Sequence, residues 1–480
     1  MISRRRFLQG LGAGAAAAAL SSCFSKKRAP AGDRPNILFL TADDMGWDSP
    51  GCFGGLAPEI TPHLDALAAS GMRFARAHIN ISVCQPSRAV MMTGRYPHRN
   101  GVTGFRMGVA AGVPTLSELL VDAGYETALL GKEYHYLPRE KYRWRMVVES
   151  RRLGGARDPA MFAAALRTVI RRAKEAGRPF FIHANSNDPH RPFYGGISAR
   201  PVAPGPAPSR IYKAGEVKVP GFLPDLPEVR TEVAQYCSSV RRLDDAVGAV
   251  VDALAAEQVA EHTLVLFLSD NGMSFPFAKA SCYFASTRTP LVAVWPGRIA
   301  AGAVDEAHLV SAVDLAPTLL EIAVPEVLDS GSLALDGRSL LPLFGGGTQP
   351  DRDEAIATFH TTSAGRSYEM RAVYHGRWAY IWNPWADGMT AFHSESQTGL
   401  SMRAMREAAR SDPAIAERVQ QFLFRAPEEL YDFVTDPNSL VNLAADSEHA
   451  SDLTMLRKRL ANWLHRYEDP LEKSFASVAG

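Results

Sequence analysis

Apolar residues follow two periods along this chain. Short unbroken runs of strand length alternate with longer stretches in which apolar positions recur every three or four residues. The first run, Pro35 to Ala42, stops abruptly at Asp43-Asp44. A run without polar alternation predicts a strand buried on both faces, in the middle of a parallel sheet. Thr61-Pro62 then opens a helix carrying Leu64, Leu67 and Ala68 and closed by Gly71, and Thr115 to Ala123 is a second helix with Gly124 as its cap. Thr127 to Gly131 follows it, and Ala160 to Ala176 is a longer helix before the strand Pro179 to Ala184. Val229 to Ala256 predicts a long helix, with Tyr236, Val240, Leu243, Val247, Val250, Val251 and Leu254 on a helical period. Thr263 to Leu268 is a strand that ends in Ser269-Asp270-Asn271-Gly272, and Pro290 to Trp295 is another.

This alternation predicts an α/β fold with a doubly wound, mostly parallel sheet. Acids at the C-terminal ends of such strands lie where open α/β sheets place their active sites. The texture changes later. Met370 to Tyr374 and Trp378 to Trp382 flank His375-Gly376 as an antiparallel hairpin, and Leu453 to Tyr467 is an amphipathic closing helix. The expected organisation is residues 1–34 outside the fold, a catalytic α/β domain over 35–355, and a smaller C-terminal α+β subdomain over 356–480. The Pro/Gly-rich stretch from Pro201 to Pro227 predicts a long surface excursion, a candidate wall of a substrate pocket.

One stretch stands outside this pattern: Val83-Cys84-Gln85-Pro86-Ser87-Arg88-Ala89, running on to Met92-Thr93-Gly94-Arg95. Pro86 suits the first turn of a helix, where a missing N–H costs nothing. Cys84 therefore stands at a helix N-terminus, beside free N–H donors, with Arg88 one turn on along the same face. From the residues alone Cys84 is either a small buried hydrophobe or a thiolate nucleophile of lowered pKa.

Composition excludes more than it selects. With 480 residues, 46% hydrophobic and 21% charged, the chain is long enough for a large core and falls in no disordered class. A formal net charge of +1 makes no electrostatic case for nucleic acid. Five cysteines are too few for a disulfide scaffold, although the spacing is compatible with one bridge among Cys52, Cys237 and Cys282. At the N-terminus, Ser3-Arg4-Arg5-Arg6-Phe7-Leu8 followed by the small apolar run Leu11 to Leu20 resembles a twin-arginine export signal. Leu20-Ser21-Ser22-Cys23 resembles a lipobox, which implies cleavage before Cys23, lipid on that residue and a membrane anchor followed by a basic tether. Cleavage there removes Arg4, Arg5 and Arg6 and takes the balance from +1 to −2.

The two strand ends bring oxygen ligands together. Asp43, Asp44, Asp270 and Asn271 suit a hard divalent cation, Ca²⁺ first and Mg²⁺ second. Alone, Asp43-Asp44 would be a helix cap or turn and Asp270-Asn271-Gly272 a tight turn. Among the histidines, His183 lies inside an apolar strand and reads as a satisfied core residue. His78 and His98 flank the Cys84 stretch, and His360, His375 and His393 fall in the C-terminal part, where one of them could meet a sugar hydroxyl.

Taken together these motifs resemble the type I, formylglycine-dependent sulfatases over roughly Arg34 to Pro470. Asn36-Ile37-Leu38 running into Asp43-Asp44 resembles the family's first metal strand. Cys84 to Arg88 with Thr93-Gly94-Arg95 resembles its modification signature. Gly131-Lys132 followed by His135 resembles a second signature, with one extra residue between Lys132 and His135. Asp188-Pro189-His190 resembles a segment that brings an active-site histidine. Ser269 to Gly272 resembles the last metal strand, and Lys279 stands where the family has a sulfate-binding cation. Within the family, the N-sulfatase branch is nearest, through Asn187 to Arg191, Val219 to Pro224, Ser269 to Pro276, and Glu429-Leu430-Tyr431-Asp432 with Asp436-Pro437 and Asn442-Leu443. Arg is expected at position 279 in the animal enzymes of that branch.

The resemblance implies an alkaline-phosphatase-like fold and a hydrolase of sulfated sugars. It implies Cys84 converted to formylglycine by a generating enzyme, and one divalent cation held by Asp43, Asp44, Asp270 and Asn271 together with the modified residue at 84. It further implies Arg88 stabilising the hydrated aldehyde, Lys132 and Lys279 on the sulfonate oxygens, and His190, with His135 second, protonating the leaving group. The expected partners are a sulfated saccharide, the generating enzyme, the twin-arginine translocase and, through Cys23, a membrane surface in the periplasm or at the cell face. Two alternatives stay open: an O-sulfatase, arylsulfatase or phosphonate or phosphodiester hydrolase of the same fold, and a non-catalytic binder of sulfated glycans if Cys84 stays a thiol.

Overall fold

The structure is a computed structural model that describes residues 34–196, 205–329, 331 and 333–479. The expected export signal, Cys23 and all of the tether but Arg34 lie outside those residues, as does the start of the 201–227 excursion.

The first apolar run forms the strand Asn36–Asp43, in the middle of an eight-stranded sheet. Across the sheet the order is Met146–Val148, Glu126–Leu130, Phe180–Pro189, Asn36–Asp43, Thr263–Ser269, Leu291–Val294, Met72–Phe74, Ala303–Asp305. The first five run parallel. The expected 290–295 strand is present, but Leu291–Val294 runs antiparallel to both its neighbours. The pleat sorts the central strand between two cores: Leu38, Leu40 and Ala42 face one, Ile37 and Phe39 the other. Helices Pro62–Ala69, Pro159–Glu175 and Pro227–Ala256 contribute to the first core. Cys84–Thr93, Leu116–Asp122 and Leu315–Ala323 supply the second.

The hairpin is present as Ser367–His375 and Trp378–Trp382, inside a four-stranded antiparallel sheet completed by Glu354–Thr361 and Glu428–Asp432. The first core extends into this sheet through Ala355, Ile356, Val373 and Tyr380. Asn80, in the segment that leads into Cys84, is tied to the small sheet: its Nδ2 donates to Ile356 O at 2.9 Å, and Thr358 N donates to its backbone carbonyl at 2.7 Å. Of the Pro/Gly-rich excursion, Val217, Phe222 and Leu223 are buried, so this stretch is packed chain.

Candidate active site

Four strand ends and one helix start build the centre. In a regular strand consecutive residues point to opposite faces. Here the pairing of the central strand with Phe180–Pro189 slips between Thr41 and Asp43, and Asp44 takes a left-handed φ of 67°. Aspartate tolerates that region better than most residues. The result is two consecutive carboxylates, both fully buried, turned into one site. Gly272 lets the Asp270-Asn271 turn close: a Cβ there would stand 2.2 Å from Ala285 O and 2.4 Å from Ala278 O.

Cys84 is the first residue of the helix Cys84–Thr93, all ten residues of which are buried. Its Sγ lies 3.2 Å from Asp43 Oδ1, 3.8 Å from Asp44 Oδ1 and 3.8 Å from Lys279 Nζ. A lowered thiol pKa does not hold here. Burial, and then the Asp43 charge, push the thiol well up, against the helix terminus and Lys279. Cys84 stands in a crowd of carboxylates.

Each carboxylate has its own cation. Lys132 pairs with Asp43, Lys279 with Asp44 at 2.6 Å, and Arg88 Nη2 with Asp270 at 2.6 Å, every one of these side chains at most 3% exposed. Burial opposes the charges on Lys132 and Lys279, but Asp43 and Asp44 outweigh it and raise both lysines. Burial raises the Asp270 carboxyl; Arg88 opposes this, and the neighbouring Asp43 and Asp44 add to it. Three charges of each sign cancel, and a divalent cation would leave the centre net positive toward an anionic substrate.

The donors fit such a cation. Asp43, Asp44, Cys84 and His190 present ligand atoms within 4.8 Å of one another. Asn271 Nδ2 donates to Asp44 Oδ1 at 2.7 Å, while the buried Asn271 Oδ1 has no hydrogen-bond partner. A buried amide oxygen without a partner beside acidic oxygens is a hard-cation donor left over.

Arg88 is aimed by residues the motifs did not flag. Its Nη1 donates to Thr41 Oγ1 at 3.0 Å and to Asn185 Oδ1. Asn185 Oδ1 also accepts from Thr41 Oγ1 at 2.7 Å and from Tyr136 OH at 2.9 Å. His183 closes this network, 3.2 Å from both Thr41 Oγ1 and Tyr136 OH, and is the satisfied core histidine expected. Thr41 reads as an ordinary β-branched strand residue. Asn185 falls one residue past the apolar run, where polar side chains on a central strand could have signalled it.

His190 stands at the mouth, its side chain 36% exposed and Nε2 3.7 Å from Asp44 Oδ2. Nδ1 lies 2.5 Å from Arg191 O, so Nδ1 carries a proton and Nε2 faces the centre. Burial lowers its pKa, with Asp44 and Asp43 opposing. Arg157 and Arg242, both paired with the buried Asp188, lie behind it, and Arg157 Nη2 donates to His190 O at 2.8 Å. Lys132 follows Gly131, where a Cβ would meet Asn185 O at 2.5 Å. The extra residue in this signature is absorbed by the short helical turn Glu133–His135. His135 is buried, its Nδ1 without a partner, and burial with Lys132 and Arg88 holds its pKa well down.

Other candidates lie elsewhere. His78 stacks on Tyr374, and His98 is 2.9 Å from Tyr467 O beneath the closing helix. His360 pairs with Glu369 and His375 lies 2.9 Å from Asp353 O. Cys52, Cys84, Cys237 and Cys282 are all free thiols, so no bridge forms among them. One group carried no sequence signal at all: Glu395, whose Oε1 is 3.6 Å from Lys279 Nζ.

A buried cysteine beside paired carboxylates, at the C-terminal edge of a doubly wound sheet and ringed by cations, suits a hydrolase of anionic esters. The chain belongs to the sulfatase family: the Sulfatase model matches residues 35–324, and a model described as N-sulphoglucosamine sulphohydrolase, C-terminal, matches 274–382. It is accordingly a sulfuric ester or sulfamate hydrolase. Human N-sulphoglucosamine sulphohydrolase is 32% identical over 466 residues, covering 91% of each chain. N-acetylgalactosamine-6-sulfatase of Canis lupus familiaris is 28% identical, covering 78% of each. A solved structure in complex with its substrate D-glucosamine-2-N,6-O-disulfate shares the fold, with a TM-score of 0.63 at 18% identity over 91% of this chain and 99% of that one. Residues 1–21 match the twin-arginine translocation signal model, which marks the chain for export. No described helix is long and apolar enough to cross a membrane.

Proposed function

We propose that the chain is an exported sulfatase acting on sulfated sugars, and that its reaction is removal of the N-sulfo group from terminal glucosamine. The observation that carries the reaction class is the convergence on Cys84 Sγ of Asp43, Asp44 and Lys279. The N-sulfo assignment is supported by the match of 274–382 to the N-sulphoglucosamine sulphohydrolase model and by the 32% identical human relative.

Asp43, Asp44, Asp270 and Asn271 would hold one divalent cation, Ca²⁺ or Mg²⁺. Formylglycine at position 84 would supply an oxygen nucleophile, and the cation would polarise it and the sulfonate. The remaining steps belong to side chains present. Lys132 and Lys279 exchange part of their pairing with Asp43 and Asp44 for sulfonate oxygens and draw charge off sulfur. Arg88, fixed by Thr41 and Asn185, stabilises negative charge developing at position 84. His190 acts in its protonated, imidazolium form: Nδ1–H stays on Arg191 O and Nε2–H passes its proton to the leaving nitrogen at the mouth, where the sugar enters. His135, behind Lys132, is the second candidate. At the N-terminus, Cys23 is the proposed lipid anchor.

The test is steady-state turnover of N-sulfoglucosamine, a 6-O-sulfated glucosamine and an aryl sulfate by wild type and His190→Ala. Fastest wild-type turnover of N-sulfoglucosamine is expected, with the variant losing most on that substrate, because an amine leaves poorly without a proton and an aryl oxide does not. Faster 6-O-desulfation by wild type would reject the N-sulfo assignment. Peptide mass spectrometry of active protein showing only cysteine at 84 would reject the nucleophile.

A further inference from the structure

The centre holds three carboxylates and three cations, paired one to one. Glu395 is a fourth carboxylate that reaches the same cluster, 3.6 Å from the sulfonate-side cation Lys279, and it comes from the C-terminal part of the chain. Near a site for an anion, a further negative charge opposes binding by repulsion, and donors on the substrate would offset it.

Position says which donors. Exposure rises outward along one line: Asp44 is fully buried, the Lys279 side chain is 2% exposed and that of Glu395 is 24% exposed. Glu395 is thus the more exposed partner of Lys279, as His190, 36% exposed, is the more exposed partner of Asp44. The placement of Glu395 is built. Ser363 Oγ donates to Glu395 Oε2 at 3.1 Å, and Glu395 opens the short turn Glu395–Thr398. The following helix, Leu400–Ala408, is capped by Glu232 through Leu400 N at 2.9 Å and Ser401 N at 2.8 Å. Glu232 also takes Arg191 Nη1 at 2.5 Å, next in chain to His190. The helix that follows Glu395 and the segment carrying His190 are thus both held by one carboxylate, Glu232.

We propose that Glu395 is the residue that reads the sugar: its carboxylate accepts from the N–H and a ring hydroxyl of the glucosamine beside the sulfonate, and holds the ammonium of the product. The inference rests on the proposed saccharide specificity. Sugar hydroxyls and a sulfamate N–H are donors, whereas an aryl sulfate offers none. Glu395 thereby selects for the saccharide and against a bare anion.

The experiment compares wild type with Glu395→Ala and Glu395→Gln, as purified active enzyme, on N-sulfoglucosamine and on an aryl sulfate. Inhibition of aryl sulfate turnover by glucosamine and by free sulfate is measured in parallel. For Glu395→Ala, kcat/KM on N-sulfoglucosamine should fall by about tenfold or more, and the aryl sulfate value should hold or rise. The glucosamine inhibition constant should rise by a similar factor, and that for sulfate should stay or fall. Glu395→Gln, which keeps an acceptor without the charge, should retain the sugar hydroxyl contact and lose the response to the ammonium. Equal losses on both substrates, or an unchanged glucosamine inhibition constant, would overturn the proposal. Wild type that hydrolyses the aryl sulfate but not N-sulfoglucosamine would reject the N-sulfo reading alone, and the glucosamine inhibition would still decide the role of Glu395.

Discussion

Two buried arginines serve opposite ends. Arg371, 1% exposed in the C-terminal sheet, uses all three guanidinium nitrogens: Nε and Nη2 reach Asp469 at 2.7 and 3.1 Å, and Nη1 reaches Glu369 at 2.9 Å and Met370 O at 2.9 Å. Arg88, fully buried, holds Asp270, Thr41 and Asn185, yet its Nε has no partner and the nearby Asn271 Oδ1 has none either. The Arg371 guanidinium is paired at every nitrogen, and its ligands are protein. The Arg88 cluster is balanced in charge but unfinished in hydrogen bonds, and it surrounds a cysteine. Burial of charge at one place secures the fold; at the other it leaves buried polar atoms free around a cysteine, as the proposed cation and sulfonate site requires.

Substitutions can break this contrast, and the largest effect belongs to the unfinished cluster. Cys84→Ala should lower kcat by on the order of 10⁵–10⁶ while thermal unfolding stays close to wild type; a variant that keeps activity would remove Cys84 from the chemistry. Arg371→Ala should do the reverse. It leaves Asp469 buried without its cation and should cost about 3–5 kcal/mol in stability, read by denaturant unfolding, with kcat on the surviving folded protein little changed. Asn271→Ala should weaken cation affinity on the order of 10–100-fold, seen by titrating Ca²⁺ or Mg²⁺ into chelated enzyme and following activity and metal content. Unchanged affinity would remove Asn271 from the donor set.

The smallest effect is a matter of pH. Burial opposes the Glu369 charge, but His360 and Arg371 outweigh it and hold the carboxyl down at about 2. A depressed carboxylate stabilises the fold above its ordinary range near 4.5, and that contribution fades as pH falls toward 2. The stability difference between wild type and Glu369→Gln should therefore be flat above pH about 4.5 and shrink below it. A difference that grows on acidification would reverse the assignment.

The parallel half of the sheet was legible because buried strands and their flanking helices carry strong periods, as at Ile37 to Ala42 and Val229 to Leu254. Leu291–Val294 was legible as a strand but not in direction, since an apolar run has no sense of which way its neighbour runs. Glu354–Thr361 and Glu428–Asp432 give weaker local signals: the second is three-fifths acidic, the first carries alanines and one acid, and the pairing of both is set by distant partners. In the site, Asp43, Asp44, Cys84, Lys132, His190, Asp270, Asn271 and Lys279 were named from motifs, and the fold brings them together. Thr41, Tyr136 and Glu395 act through contacts between segments far apart in sequence, so no local pattern announces them; for Asn185 the polar end of a central strand was the one available signal.

The enclosure of Cys84 sets a timetable. Its side chain is 3% exposed, and the helix that starts with it is buried along its whole length. On the proposed formylglycine reading, an oxidising enzyme must grip the chain around residue 84 while that helix is still open. The twin-arginine route, which moves folded cargo, comes after. Modification, closure and passage through the membrane then form one irreversible sequence, and a chain that folds too soon leaves the cell compartment as an inert thiol protein.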